Sequence, residues 1–198
     1  KYNSYRGTVG KTFKNIINRR FNTSIPHQKV TTDTTEFKIY STDDNGKLSI
    51  EKAYLNPFLD MFNGEILSFS LSKRPTFGPI SDALNKAIEV TNDCPYRRTF
   101  HSDQGWAYQM KQYTNTLKKN KIFQSMSRKG TCLDNSPMEN FFGIMKQEMY
   151  YGKIYRSFEE LEKEVIDYIH YYNNDRIKEK LKWNSPVDYR INYKSIIA

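Results

Sequence analysis

Cysteine and histidine are scarce in this chain of 198 residues, and their scarcity sets aside several kinds of chemistry. The two cysteines, Cys94 and Cys132, form no C-x-x-C pair, and the three histidines, His27, His101 and His170, are widely scattered. A structural zinc site needs such ligands in close spacing, so none is expected, and the compartment reads as reducing. Long apolar runs are missing as well. Nothing approaches the roughly 20 residues that span a bilayer, and the start lacks the apolar stretch of a signal peptide. There is no G-x-S-x-G elbow, no Walker A sequence and no Rossmann glycine pattern. The chain begins with Lys1, not Met, and reads as a fragment without its N-terminal part.

Acidic residues are absent from the first 30 positions, which hold seven basic ones, so +7 of the net +9 lies there. A basic arm beside a nearly balanced domain suits a polyanion: nucleic acid first, an anionic membrane second. A solubilising tail is the plain alternative. Aliphatic content is modest, but aromatics reach 15%, enough to expect a folded core.

Residues 1–26 lack periodicity and read as a basic arm or linker, with a short helix around Thr12–Arg19. The β-branched run from Lys29 to Ile39 predicts a strand. Leu48–Leu55 and Glu65–Leu71 follow turn signals at Asp43–Gly46 and Asn63-Gly64, so an antiparallel meander is expected. Residues 79–90 have helical spacing, Arg97–His101 a strand pattern, Tyr108–Leu117 a helical one, and Phe123–Ser127 a strand pattern again. From Ser136, with Pro137 opening the helix, the pattern runs to Tyr150. S-x-x-E at Ser157–Glu160 opens another helix. The tail beyond Asn173 is basic and irregular, with a stop at Pro186. The expected division is an arm over 1–26, a catalytic core over 27–150, and a C-terminal helix and basic tail over 151–198. Strands first, then alternating strands and helices, indicate an α/β fold with a mixed sheet flanked by helices.

Three acidic residues stand out. Asp33, in T-T-D-T-T-E-F, lies within a strand, where Asp is depleted; it also reads as a solvent-facing strand residue. Asp103, in H-S-D-Q-G, follows a strand, where mixed sheets present functional groups, although Asp before Gly often makes an Asx-turn. Glu139, in S-P-M-E-N-F-F, sits in a first helical turn, where Ser136 and Glu139 also satisfy a capping-box pattern. Lys146 lies two turns further along the same face. Taken together the three carboxylates suit Mg²⁺, a hard cation that prefers oxygen ligands. Two such ions about 4 Å apart can drive a phosphodiester displacement without a covalent nucleophile.

These segments, with S-R-K-G-T-C-L-D-N-S-P-M-E-N-F-F, resemble the DDE integrase core of bacterial insertion-sequence transposases of the OrfB type, which are similar to retroviral integrases. Asp103 and Glu139 are separated by 35 residues, the spacing those families share. F-F-G-I-M-K-Q-E, Y-Y-N-N-D-R and S-P-V-D-Y-R resemble the same transposases, so the likeness covers about Lys29 to Tyr193. It implies an RNase H-like fold with a five-stranded mixed sheet, and a catalytic and metal-binding triad of Asp33, Asp103 and Glu139. Asp33 would bridge two Mg²⁺ ions, with Mn²⁺ as a possible substitute, while Asp103 and Glu139 hold one each. The implied activity is 3′-end cleavage of DNA and strand transfer in transposition. The implied partners are transposon-end and target DNA, in a homo-oligomer assembled on DNA, with no membrane, in a bacterial cytoplasm near the nucleoid. Arg128, Lys129, Lys146, Arg19 and Arg20 are the expected DNA contacts. Ala107 departs from the Gln or Glu of many relatives, and Lys178 from their His. The alternatives are an inactive or truncated transposase that only binds DNA, and a nuclease of the same fold that only hydrolyses it.

Overall fold

The computed structural model describes residues 10–42 and 46–197, so Lys1, Arg6 and most of the Asp43–Gly46 turn lie outside the described residues. Its strands are β1 (Lys29–Thr32), β2 (Thr35–Thr42), β3 (Leu48–Asp60), β4 (Ile66–Ser72), β5 (Thr99–Ser102) and β6 (Phe123–Met126). Its helices are α1 (Phe77–Val90), α2 (Trp106–Gln109), α3 (Lys111–Lys119), α4 (Ser136–Met145), α5 (Phe158–Asn174) and α6 (Pro186–Ile197). β2, β3 and β4 form the expected antiparallel meander, while β1, β5 and β6 run parallel at the other side of the sheet.

Six strands stand where five were expected, because the first is cut in two. β1 and β2 pair with β3 in a single continuous register, Val30 opposite Asp60 and Thr35 opposite Leu55. That register sets Asp33 opposite Pro57 and Thr34 opposite Asn56. The Lys29 carbonyl accepts from Met61 N–H at 2.8 Å. Odd-numbered residues of this strand therefore turn their backbone groups toward β3, since hydrogen-bonded pairs alternate along an antiparallel ladder. Asp33 is the next odd position after Thr31, and its carbonyl meets a proline with no N–H to give. Asn56 Nδ2 fills the gap, donating to the Asp33 carbonyl at 3.0 Å. The ladder is broken where the first carboxylate sits.

Both faces of the sheet are covered. Phe37, Ile39 and Leu55 pack with Phe141 and Met145 of α4 and with Leu161, Val165 and Tyr172 of α5 on one side. Val30, Phe58 and Phe100 pack with Leu84 of α1, Tyr108 of α2 and Leu117 of α3 on the other. Each such fully buried side chain contributes about 1.5–3 kcal/mol. The C-terminal helix α5 is thus part of the core packing.

Four local expectations are corrected. No helix forms over Thr12–Arg19, because Asn18 and Arg19 adopt left-handed backbone angles, φ 48° and 60°. The helix expected over Tyr108–Leu117 divides into α2 and α3 at Met110, whose ψ of 142° is extended. Ser136 makes no capping box with Glu139: a 3-10 turn over Cys132–Asn135 feeds straight into α4, so Ser136 is already helical at φ −55°, ψ −30°. Pro186 starts a helix instead of stopping a tail, as its fixed φ allows at a first helical position, and the Ser185 hydroxyl accepts from Asp188 N–H at 3.2 Å. At Ser157 the cap does form, Glu160 N–H donating to Ser157 Oγ at 3.1 Å, while the Glu160 carboxylate reaches one residue further back and accepts from Arg156 N–H at 2.7 Å.

Candidate active site

Asp33 lies at the ladder break, Asp103 directly after β5, and Glu139 in the first turn of α4. β1 and β5 are parallel neighbours, with Thr31 beside His101, so the first two acids leave adjacent strands at the same end. Side chains alternate along a strand, so Asp33 shares the face of Phe37 and Ile39, the one α4 covers. All three acids line one cleft.

Local structure holds the first two acids in place. Asp33 Oδ1 accepts from Thr34 N–H at 2.7 Å. Asp103 Oδ1 accepts from Gly105 N–H at 2.8 Å, so the Asx-turn expected of an Asp before Gly does form. Gly105 is required there, because a Cβ would stand 2.9 Å from that oxygen and 3.3 Å from the Tyr108 ring. Glu139 is exposed, with no cap to claim it.

The electrostatics are those of charges held without counter-charges. Burial, then the nearby charge of Asp103 and, more weakly, that of Glu139 push the Asp33 carboxyl up to about 7, against the pull of the Thr34 N–H. Burial also raises Asp103. None of the three has an ion-pair partner among the described residues. Nor, among those residues, do three or more His, Cys, Asp or Glu side chains gather closely enough to hold a metal ion. The donor chemistry nonetheless fits a hard divalent cation: oxygen-only, anionic, and free of lysine or arginine neutralisation.

Several supporting residues escaped the sequence reading. Asn56 Nδ2 also donates to Tyr108 Oη at 2.6 Å, and Tyr108 Oη lies 3.3 Å from Thr34 Oγ1, tying α2 to the strand break. An Asn-Pro pair inside an otherwise β-forming run was the available signal. His101 is fully buried beneath Asp103, with Nδ1 2.8 Å from Ser125 Oγ and Nε2 2.9 Å from the Asp134 carbonyl. The Asp134 carbonyl can only accept, so the neutral ring carries its proton on Nε2, and Nδ1 accepts from the Ser125 hydroxyl, which itself accepts from Ile16 N–H at 2.9 Å. Burial pushes His101 down to about 4.

The expected DNA contacts are dispersed. Arg128 and Lys129 line the cleft. Arg128 grips buried Asp134 with Nε at 2.8 Å and Nη2 at 2.9 Å, and Arg19 Nε reaches the same carboxylate at 2.9 Å. Arg128 holds the Asp134 carboxyl well below the usual carboxylate range. Arg20 donates to the Ile16 and Ile17 carbonyls, and Lys146 to the Glu36 carbonyl at 3.2 Å.

A family model described as an integrase core domain matches residues 23–132, and a second of the same description matches residues 139–193. The chain belongs to the integrase core domain family. It is 48% identical over 190 residues to a transposase-like protein of Haemophilus influenzae, covering 96% of this chain and 83% of that one. With the Escherichia coli transposase InsK of insertion element IS150 it shares 44% over 191 residues, or 96% of this chain but 64% of that protein. Among solved structures it is similar to the magnesium complex of the HTLV-2 integrase catalytic core, at TM-score 0.60 and 15% identity, covering 83% of this chain and 97% of that one. That likeness establishes the fold as RNase H-like, and its five-stranded form is recovered once β1 and β2 are counted as one interrupted strand. Among the described residues no helix is long and apolar enough to cross a membrane.

Proposed function

We propose that this chain is the catalytic core of a DNA transposase that cleaves 3′ ends and transfers them to target DNA, with Asp33, Asp103 and Glu139 as its Mg²⁺-holding triad. The observation that carries the reading is the convergence of three uncompensated carboxylates on one open cleft, with the charge of Asp33 opposed by those of both others. These carboxylates would hold Mg²⁺, which when bound would supply activation of an attacking oxygen and neutralisation of charge on the phosphodiester. Asp33, which feels the charges of both other acids, would hold the metal together with Asp103 and Glu139, and the Thr34 and Gly105 amides orient the carboxylates of Asp33 and Asp103. Arg128 and Lys129 stand on the rim, where an approaching phosphate passes. The 36% of InsK that lies outside the shared region belongs to a longer protein; recognition of particular ends is assigned to such parts and to assembly on DNA.

The test is cleavage of a labelled duplex in Mg²⁺ by the wild type, Asp103→Asn and Glu139→Gln. Metal stabilisation of the transition state is worth several kcal/mol, so each variant should lose about a thousandfold in rate. Glu139 is exposed and makes no cap bond, so Glu139→Gln should melt within about 0.5 kcal/mol of wild type. Full activity in that folded variant would return Glu139 to an ordinary surface role and leave a chain that binds DNA or works by other means.

A further inference from the structure

Asn135 directly precedes α4, the place where an asparagine side chain ordinarily caps a helix by accepting from the backbone N–H groups of its first turn. Here the side chain makes no such bond. It is 3% exposed and turns back to β1 instead: Oδ1 accepts from the Thr31 hydroxyl, and Nδ2 donates to the Thr32 carbonyl at 3.2 Å. A bond that would serve the helix alone is replaced by two that tie the helix to a strand about 100 residues away in sequence.

The point of attachment is the fork between the first two carboxylates. Thr99 N–H donates to the Gln28 carbonyl at 2.8 Å, and bonds of a parallel ladder recur every two residues. Two repeats on, Asp103 N–H would meet the Thr32 carbonyl, but the pairing of β1 with β5 ends at Thr31 and His101. The Asn135 amide takes that carbonyl in its place. Thr32 directly precedes Asp33, and Glu139 lies four residues beyond Asn135, about one helical turn. Asp134 holds the same entry to α4: its carbonyl accepts from His101 Nε2 at 2.9 Å, and its carboxylate accepts from Arg128, Arg19 and Asn15. At the fork itself the link is a neutral amide, which supplies one donor and one acceptor and leaves the charge of the acids uncompensated.

We infer that Asn135 is a positioning residue of the carboxylate site: its side chain fixes the first turn of α4, and with it Glu139, to the strand that delivers Asp33. The inference rests on the proposed reading of the three acids as a metal site, and adds a residue that acts through Glu139. An amide that served the fold alone would cost stability when removed, yet leave the acids of the folded molecule where they were.

The experiment compares the whole wild-type chain with three variants. Asn135→Ala removes both bonds, Thr31→Val removes the hydroxyl bond at nearly constant shape, and Ile88→Ala, in the core near the end of α1, is a destabilised control. Hydrogen exchange in EDTA, followed by mass spectrometry, reads the α4 amides without metal, and electron paramagnetic resonance of free Mn²⁺ reads the affinity of the site. Removing a hydrogen-bonded support behind metal ligands weakens metal binding by about 10–100-fold, so Asn135→Ala should bind Mn²⁺ at least about tenfold more weakly. Residues 136–142 should exchange about tenfold faster in that variant, while α5 exchanges as in the wild type. Thr31→Val should move both readouts the same way by a smaller factor, and it decides the question if Asn135→Ala does not fold. The control should keep Mn²⁺ affinity within about threefold of wild type. Wild-type exchange and affinity in the folded variants, or an equal loss of affinity in the control, overturn the positioning role and leave the proposed function standing. A wild-type chain that binds no Mn²⁺ overturns the function itself, and exchange in EDTA then still decides whether Asn135 holds α4.

Discussion

The two ends of β1 carry buried carboxylates of opposite character. At its start, Asp60 faces Val30 and accepts backbone N–H groups from His27 at 2.8 Å and Phe62 at 3.0 Å. Nearby Glu65 is clamped by Arg190 through Nε at 2.7 Å and Nη2 at 2.9 Å. At the other end, Asp33 and Asp103 accept one backbone N–H each, and Glu139 makes no cap bond and has no counter-charge among the described residues. Burial raises Asp60 to about 6 and Asp33 to about 7; at Asp60 two backbone amides and His27 oppose the rise and the charge of Glu65 adds only the smallest part, whereas at Asp33 one amide, that of Thr34, opposes it and the charges of Asp103 and Glu139 both add to it. Burial alone therefore does not mark a site. A carboxylate that the fold has satisfied does structural service; one held against its neighbours' charge, facing a cleft, is kept for a ligand the chain does not contain.

Titration sharpens the comparison and carries the largest expected stability effect. His101 is satisfied on both nitrogens and pushed down to about 4. An unfolded histidine binds its proton near 6.5. Between those values the unfolded state holds the extra proton, so this contribution is present above pH 6.5 and shrinks by about 3 kcal/mol as pH falls to about 4. Asp33 runs the other way: its raised carboxyl takes up a proton first in the folded state, so its contribution grows as pH falls through about 7 toward the unfolded value. Proton NMR of the His101 ring separates the two, with a midpoint near 4 expected. A midpoint near 6.5 would mean that the ring is not locked beneath Asp103.

A paired substitution sets a satisfied carboxylate against an uncompensated one. Asp134→Ala removes charge-assisted bonds to Arg19 and Arg128, each worth about 1.5–3 kcal/mol where buried. Both guanidinium groups are about half exposed and can be resolvated, so the expected loss is about 2 kcal/mol. Asp33→Asn relieves like-charge repulsion and should leave stability in EDTA unchanged or raise it by about 1 kcal/mol. Thermal melts of both variants check the pair, and equal destabilisation would erase the distinction between the two kinds of carboxylate.

The sequence made the candidate triad legible because its information is local: Thr residues around Asp33, Gly after Asp103, Pro before Glu139, and a fixed separation between the last two. The supporting architecture depends on register and distant partners. That Pro57 faces Asp33 follows only once β1 and β3 are aligned, and Asp134 gains its meaning from nearby Arg128 together with Asn15 and Arg19, which fold in from far along the chain. Ser136 misled because its capping pattern is real in sequence while the preceding 3-10 turn makes the residue helical. Pro186 misled because proline serves equally to stop one helix and to start another.

Crystals of the whole chain soaked in Mn²⁺ and measured at the manganese absorption edge test the central claim most directly. The account predicts anomalous peaks among Asp33, Asp103 and Glu139, lost in Asp103→Asn crystals, and none beside Asp60, Glu65 or Asp134. Density that leaves the cleft empty at saturating Mn²⁺, or that settles on the satisfied carboxylates instead, would contradict it.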